Sequence, residues 1–181
     1  MKRSEINKSI DNANEVLRHH RISLPAWANL PPHEWKTKRE EYSEIFENQL
    51  GWDVTDFAKG DFMREGLTLF TVRNGNPAFG GPMKTYCEKI MIVYPGQITP
   101  THFHWKKMED IINRGGGIFG IQLWKANERE EKTEEPFSVS IDGVRRKVKG
   151  GDIIYLDPGE SICFEPYVYH TFWAENETCV V

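Results

Sequence analysis

The spacing of apolar residues changes once along the chain. Through about residue 60 it is helical. Ile6, Ile10, Ala13 and Leu17 follow a candidate N-cap at Ser4 and predict a first helix. A proline-rich stretch comes next, Leu24-Pro25-Ala26-Trp27 through Pro31-Pro32. A second helix is predicted from about His33 to Leu50. Trp35, Tyr42, Ile45, Phe46 and Gln49 lie along one side, and Gly51 sits where a helix stops. From about Gly66 the pattern turns to short extended runs. Leu67–Arg73 precedes the turn Asn74-Gly75-Asn76-Pro77, and Lys89–Tyr94 ends at Pro95-Gly96. Ile118–Trp124 follows three glycines. Ser138–Ile141 and Val144–Val148 flank Asp142-Gly143, a strong hairpin signal. Ile153–Leu156, Ile162–Phe164 and Tyr167–Trp173 follow, then the apolar end Cys179-Val180-Val181. Many short strands broken by Gly and Pro predict a mainly β chain, an antiparallel sandwich or barrel. The expected organisation is a helical extension over residues 1–60, packed on a β-barrel over 61–181.

Composition narrows the function. A length of 181 residues suits one domain with an extension. With 39% hydrophobic and 28% charged residues the chain is globular. No apolar run approaches the roughly 18 to 20 residues of a membrane span, and the polar start Met1-Lys2-Arg3-Ser4-Glu5 is unlike a signal peptide. The expected setting is the cytoplasm, away from membranes. A net charge of −4 gives no basic footprint for nucleic acid. Cys87, Cys163 and Cys179 are scattered and form neither a CxxC pair nor a disulfide framework.

The candidate chemistry centres on His102 and His104. They stand two apart in the extended stretch Thr99–Trp105, so both imidazoles face one side of a strand. A tight turn after Trp105-Lys106-Lys107-Met108 would bring Glu109 back toward them on the neighbouring strand. His170 lies far along the chain, where long-range strand pairing would supply it as a fourth ligand. Three imidazoles and a carboxylate suit one divalent ion with two open neighbouring positions, Mn²⁺, Fe²⁺, Co²⁺ or Ni²⁺. Zn²⁺ fits less well, since structural zinc is usually closed by cysteine.

The frame around these residues resembles the first motif of the cupin superfamily: Gly96, five residues, His102, one, His104, four, Glu109, six, Gly116. Gly151-Asp152 to Pro158-Gly159, with His170, resembles the second motif, although the gap before His170 is longer than usual. The fold implied is a cupin-type antiparallel β-barrel, a jelly roll. The run Thr101-His102-Phe103-His104-Trp105-Lys106-Lys107-Met108-Glu109-Asp110-Ile111-Ile112-Asn113-Arg114-Gly115-Gly116-Gly117 is more specific and resembles the D-lyxose ketol-isomerase family. Lys2-Arg3-Ser4-Glu5-Ile6-Asn7, Cys87-Glu88-Lys89-Ile90-Met91 and Tyr167-Val168-Tyr169-His170-Thr171-Phe172-Trp173 agree, so the resemblance spans nearly the whole chain. It implies a Mn²⁺-dependent aldose–ketose isomerase acting on D-lyxose and D-xylulose, and more slowly on D-mannose and D-fructose, through a cis-enediolate. It also implies a homodimer.

Two lysines are candidates for the proton and substrate chemistry. Lys107 is two residues before Glu109, and strand parity puts it on the inward face if the turn has ended by then. The other reading is an exposed lysine in the turn, and the resemblance favours the catalytic one. Lys89 alternates with Met91 and Val93 and either binds a sugar hydroxyl or snorkels to water from a strand end. Members of the family often run longer, and acidic residues proposed for proton transfer lie in that further part; no position here matches them. The competing functions are a cupin dioxygenase of the acireductone type and a non-catalytic sugar-binding cupin. A phosphosugar isomerase would want a cationic phosphate site, for which Arg145-Arg146 is the obvious pair.

Overall fold

Helix α1 runs over Arg3–His19. Its start is set by Glu5, whose carboxylate accepts a hydrogen bond from the Lys2 backbone N–H. The cap is therefore Lys2, and Ser4 lies inside the first turn. Ser9, Ala13 and Leu17 form the buried stripe. The structure, a computed structural model, describes residues 1–76 and 84–181, so Pro77 of the expected turn lies outside the described residues.

The second predicted helix is two short ones, α2 over Pro32–Thr37 and α3 over Ser43–Glu47. The break falls on Lys38-Arg39-Glu40-Glu41, four charged residues with no apolar side chain to hold a helical turn against a core. The bend still gathers the expected aromatics, with the Trp35 ring 5.7 Å from Tyr42 and 5.5 Å from Phe46. Gln49 takes the left-handed conformation after α3 (φ 54°), and Gly51 opens strand β1, Gly51–Thr55, which the sequence pattern had not predicted.

Contacts divide the chain into two compact units, residues 1–54 with 68–91, and residues 55–67 with 92–181. The first holds the three helices, a 3-10 turn at Ala26–Asn29, β1 next to β2 (Leu67–Arg73), and most of β3 (Glu88–Val93). Its core is aromatic. Trp27 stacks on Phe70 at 5.1 Å and Trp52 meets the same ring edge-on at 5.1 Å. Trp27 is thus a packing residue in this unit.

The second unit contains β4 (Thr99–His102), β5 (Glu109–Ile112), β6 (Gly115–Gly116), β7 (Phe119–Ala126), β8 (Lys132–Thr133), β9 (Pro136–Ile141), β10 (Val144–Lys149), β11 (Ile153–Leu156), β12 (Ser161–Phe164), β13 (Val168–Ala174) and β14 (Cys179–Val180). One sheet has the order β11-β7-β13-β4 and another β10-β9-β12-β5. Beside them β14 pairs antiparallel with β6 and with the last two residues of β3. The expected hairpin is β9–β10, with Asp142 and Gly143 both at positive φ (48° and 79°), the geometry a two-residue turn requires. Alternation then places Ile121 and Leu123, Val139 and Ile141, Ile162 and Phe164, and Phe172 in one buried core. The fold is mainly β and cupin-like, as the sequence predicted.

Candidate metal centre

Strand pairing delivers two of the three imidazoles. His102 is the last residue of β4 and is the direct cross-strand partner of His170 on β13, with their rings 4.1 Å apart. Both therefore share the core face of one sheet. His104 lies just beyond the end of β4, and its carbonyl accepts a hydrogen bond from Tyr167 N–H at 3.0 Å.

Glu109 arrives by a different route from the one expected. It opens β5, whose partner is β12, so it comes from the other sheet and not from a strand beside β4. The loop 103–108 crosses between the sheets, and Glu109 faces the histidines from across the core. Its register partner Phe164 packs its ring 4.8 Å from that of His170 and gives the centre an apolar wall. The sequence reading had not singled out Phe164. Its signal is its place opposite Glu109, which only the register reveals.

One ligand-capable atom from each of His102, His104, Glu109 and His170 lies within 4.8 Å of the other three. Glu109 Oε2 is 3.2 Å from His104 Nε2 and 3.1 Å from His170 Nε2, and Oε1 is 2.9 Å from Lys107 Nζ. His170 is fully buried, and its Nε2 has no hydrogen-bond partner despite that contact. A buried ring nitrogen left so is costly unless something else takes its lone pair. The opposite nitrogens explain the arrangement. His102 Nδ1 lies 2.8 Å from Pro100 O, and His170 Nδ1 lies 3.1 Å from Val168 O. A carbonyl accepts only from N–H, so both rings carry the proton on Nδ1 and present a bare Nε2 inward. Both orienting groups are main-chain carbonyls two residues upstream, which no side-chain pattern announces.

Electrostatics favour a cation. Burial, with the neighbouring His170 and His104, pushes His102 down to about 4, so the ring is neutral and ready to coordinate near pH 7. Burial alone would raise Glu109, but its contacts with His104 and His170 and the charge of Lys107 outweigh that and hold it well below the usual carboxylate range. Three imidazoles and one carboxylate, offering nitrogen and oxygen donors, fit a divalent transition ion. The three cysteines are free and form no part of the set.

The two candidate lysines sit differently. Lys107 is half-exposed in the loop before β5, and its ammonium reaches Glu109. Lys89 is exposed at the second position of β3, in the first unit. Phe103, Trp105, Tyr167 and Tyr169 form an aromatic cluster with Phe103 at its middle, 4.6 to 5.6 Å from the others.

A mainly β, cupin-like chain carries here a three-histidine, one-carboxylate cluster that suits a divalent metal ion. The comparisons with known proteins make the class specific. The family model of D-lyxose isomerase matches residues 1–181, and the chain belongs to that family; it is an aldose–ketose isomerase. It is 47% identical to the D-lyxose/D-mannose isomerase of Escherichia coli O157:H7 over 97% of this chain and 78% of that protein. It is 44% identical to the Serratia proteamaculans protein of the same description, with the same coverage. Among solved structures, the fold is similar to the L-ribose isomerase of Acinetobacter sp. DL28, at 16% identity, TM-score 0.59, covering 99% of this chain and 79% of that one.

Proposed function

We propose that this chain interconverts D-lyxose and D-xylulose, and D-mannose and D-fructose more slowly, at one divalent metal held by His102, His104, Glu109 and His170. Mn²⁺ is the preferred ion, with Fe²⁺, Co²⁺, Ni²⁺ and Zn²⁺ as lesser occupants. The observation that carries this is the four converging donors, two of them fixed as metal-ready tautomers by Pro100 and Val168 carbonyls. When bound, the ion supplies Lewis-acid polarisation of the sugar carbonyl, which makes the neighbouring C–H acidic. The protein does the rest. His170 and Phe164 keep the floor of the site dry. Lys107, in contact with Glu109, is the group placed to carry a proton between the first and second sugar carbons. Lys89 is the second lysine of the proposal and takes a sugar hydroxyl. The working form is a cytoplasmic homodimer, a reading supported by the family resemblance and by the three free thiols, which suit a reducing compartment.

The test is to strip the protein with a chelator, restore Mn²⁺, and follow D-xylulose formation from D-lyxose. Turnover should return only with metal. His104→Ala should lose metal and activity together. Lys107→Met should keep Mn²⁺ while the rate falls by about 100-fold or more. Bound metal without turnover on either sugar would overturn the proposal, and oxygen uptake with Fe²⁺ would move the chain to oxygenase chemistry.

A further inference from the structure

His104 has a positioning problem that His102 and His170 do not share. Those two sit in the ladder as direct strand partners, whereas β4 stops at His102 and His104 is carried by the loop that follows. One main-chain hydrogen bond, Tyr167 N–H to His104 O, holds its backbone. The next residue, Trp105, is anchored elsewhere. Its indole Nε1–H donates to Glu130 Oε1 at 2.9 Å, although the ring itself is largely exposed.

Glu130 also grips the other side of the site. Its main-chain carbonyl accepts a 2.7 Å hydrogen bond from the Tyr169 hydroxyl, and Tyr169 is the residue before His170. One residue thus touches the chain neighbours of two ligands, one on the β4 side and one on β13. Phe103, between His102 and His104, fills the space, packing on Trp105 at 5.0 Å and on Tyr169 at 4.6 Å.

The loop presenting Glu130 is built. Asn127 Oδ1 accepts from Arg129 N–H and Glu131 N–H, both at 2.9 Å, and Asn127 Nδ2 donates to Glu131 Oε2 at 3.0 Å. The loop closes as a turn with Glu130 N–H on Asn127 O. Glu130 itself stands in the left-handed region at φ 62°, which a residue with a side chain takes at a cost. A glycine would be the easy choice for that backbone. A glutamate held there, with both its carboxylate and its carbonyl engaged, points to a use for the side chain.

We propose that Glu130 is a positioning residue of the metal centre, acting through Trp105 on His104 and through Tyr169 on His170. This rests on the metal assignment above, and the experiment separates the two. Direct Mn²⁺ binding is measured on the purified full chain by calorimetry, with thermal unfolding of the chelated form recorded beside it. Glu130→Gln keeps an amide oxygen for the indole N–H and should bind Mn²⁺ like the parent. Glu130→Gly relieves the left-handed backbone and removes the side chain while keeping the main-chain carbonyl that Tyr169 uses, so its Tm should hold or rise. Its Mn²⁺ affinity should nonetheless fall by about tenfold, the scale on which outer groups tune a metal site. Trp105→Phe should lose a similar factor, and the double variant should lose little more, because both break one contact. The proposal is overturned if Glu130→Gly binds Mn²⁺ as the parent does. It is equally overturned if affinity falls only in step with Tm, since that is a structural role. If the parent itself binds no Mn²⁺, the metal reading fails first.

Discussion

Replacing Asn113 by alanine should destabilise the second unit by about 3–6 kcal/mol. Asn113 is fully buried one residue past β5, the strand that begins with Glu109. Its Nδ2 donates to the carbonyls of Gly117 and Leu156, both at 2.9 Å, and its Oδ1 accepts from Gly115 N–H at 3.2 Å. Gly115, Gly117 and Leu156 are buried too, so water has poor access to what alanine would leave behind. Two carbonyls and one N–H would lose a partner, at roughly 1–2 kcal/mol each. The small volume lost adds little. Against a typical total of about 5–15 kcal/mol, the change is large. The assay is urea unfolding of the chelated protein, followed by far-UV circular dichroism. The midpoint should fall with the slope unchanged. Asn113→Asp separates hydrogen bonding from volume: it keeps the shape but turns a carboxylate toward two carbonyls, and should cost at least as much as alanine at neutral pH. A loss below about 1 kcal/mol for alanine, or a milder effect for aspartate, would refute the reasoning.

Two further outcomes follow from the geometry. Burial holds His102 in the folded chain down at about 4, below the ordinary 6.5 of an imidazole, so below 6.5 the unfolded chain takes up the proton first. Stability of the chelated protein should therefore fall as pH drops from about 6.5 toward 4. Glu109, held below its usual range by its contacts with His104 and His170, adds a further loss below the ordinary glutamate value of 4.5. Thermal unfolding across that range checks this, and His102→Gln should flatten the upper segment; an unchanged slope would refute the assignment. Gly120 faces the Trp173 indole, and an added Cβ would stand 2.7 Å from Trp173 Cε2. Gly120→Ala must push the ring aside, which should shift the tryptophan emission and cost about 1–3 kcal/mol in unfolding experiments. Emission and stability both matching the parent would show that the ring lies elsewhere.

The sequence by itself determined the class of fold and named the four side chains that the structure gathers into one cluster. Ile118–Trp124, Tyr167–Trp173 and Ile162–Phe164 were marked as strands by being short extended runs set off by Gly and Pro turns, a signal that is local whatever the partners. Asp142-Gly143 fixed its hairpin locally, through left-handed conformations that these residues tolerate. His102 and His104 were legible as a same-face pair, and the run around them carried the family. Which strand lies beside which was left to the tertiary structure, since a strand's pattern records that a face is buried and not by what. That is why Glu109 was expected on a strand next to the histidines and instead reaches them from the opposing sheet. The helix expected from His33 to Leu50 failed for a similar reason: the aromatic spacing was real, but four charged residues in its middle gave the core nothing to grip. The tautomers of His102 and His170, the apolar wall of Phe164, and the double grip of Glu130 depend on carbonyl positions and strand register. Those are set only when the whole unit packs.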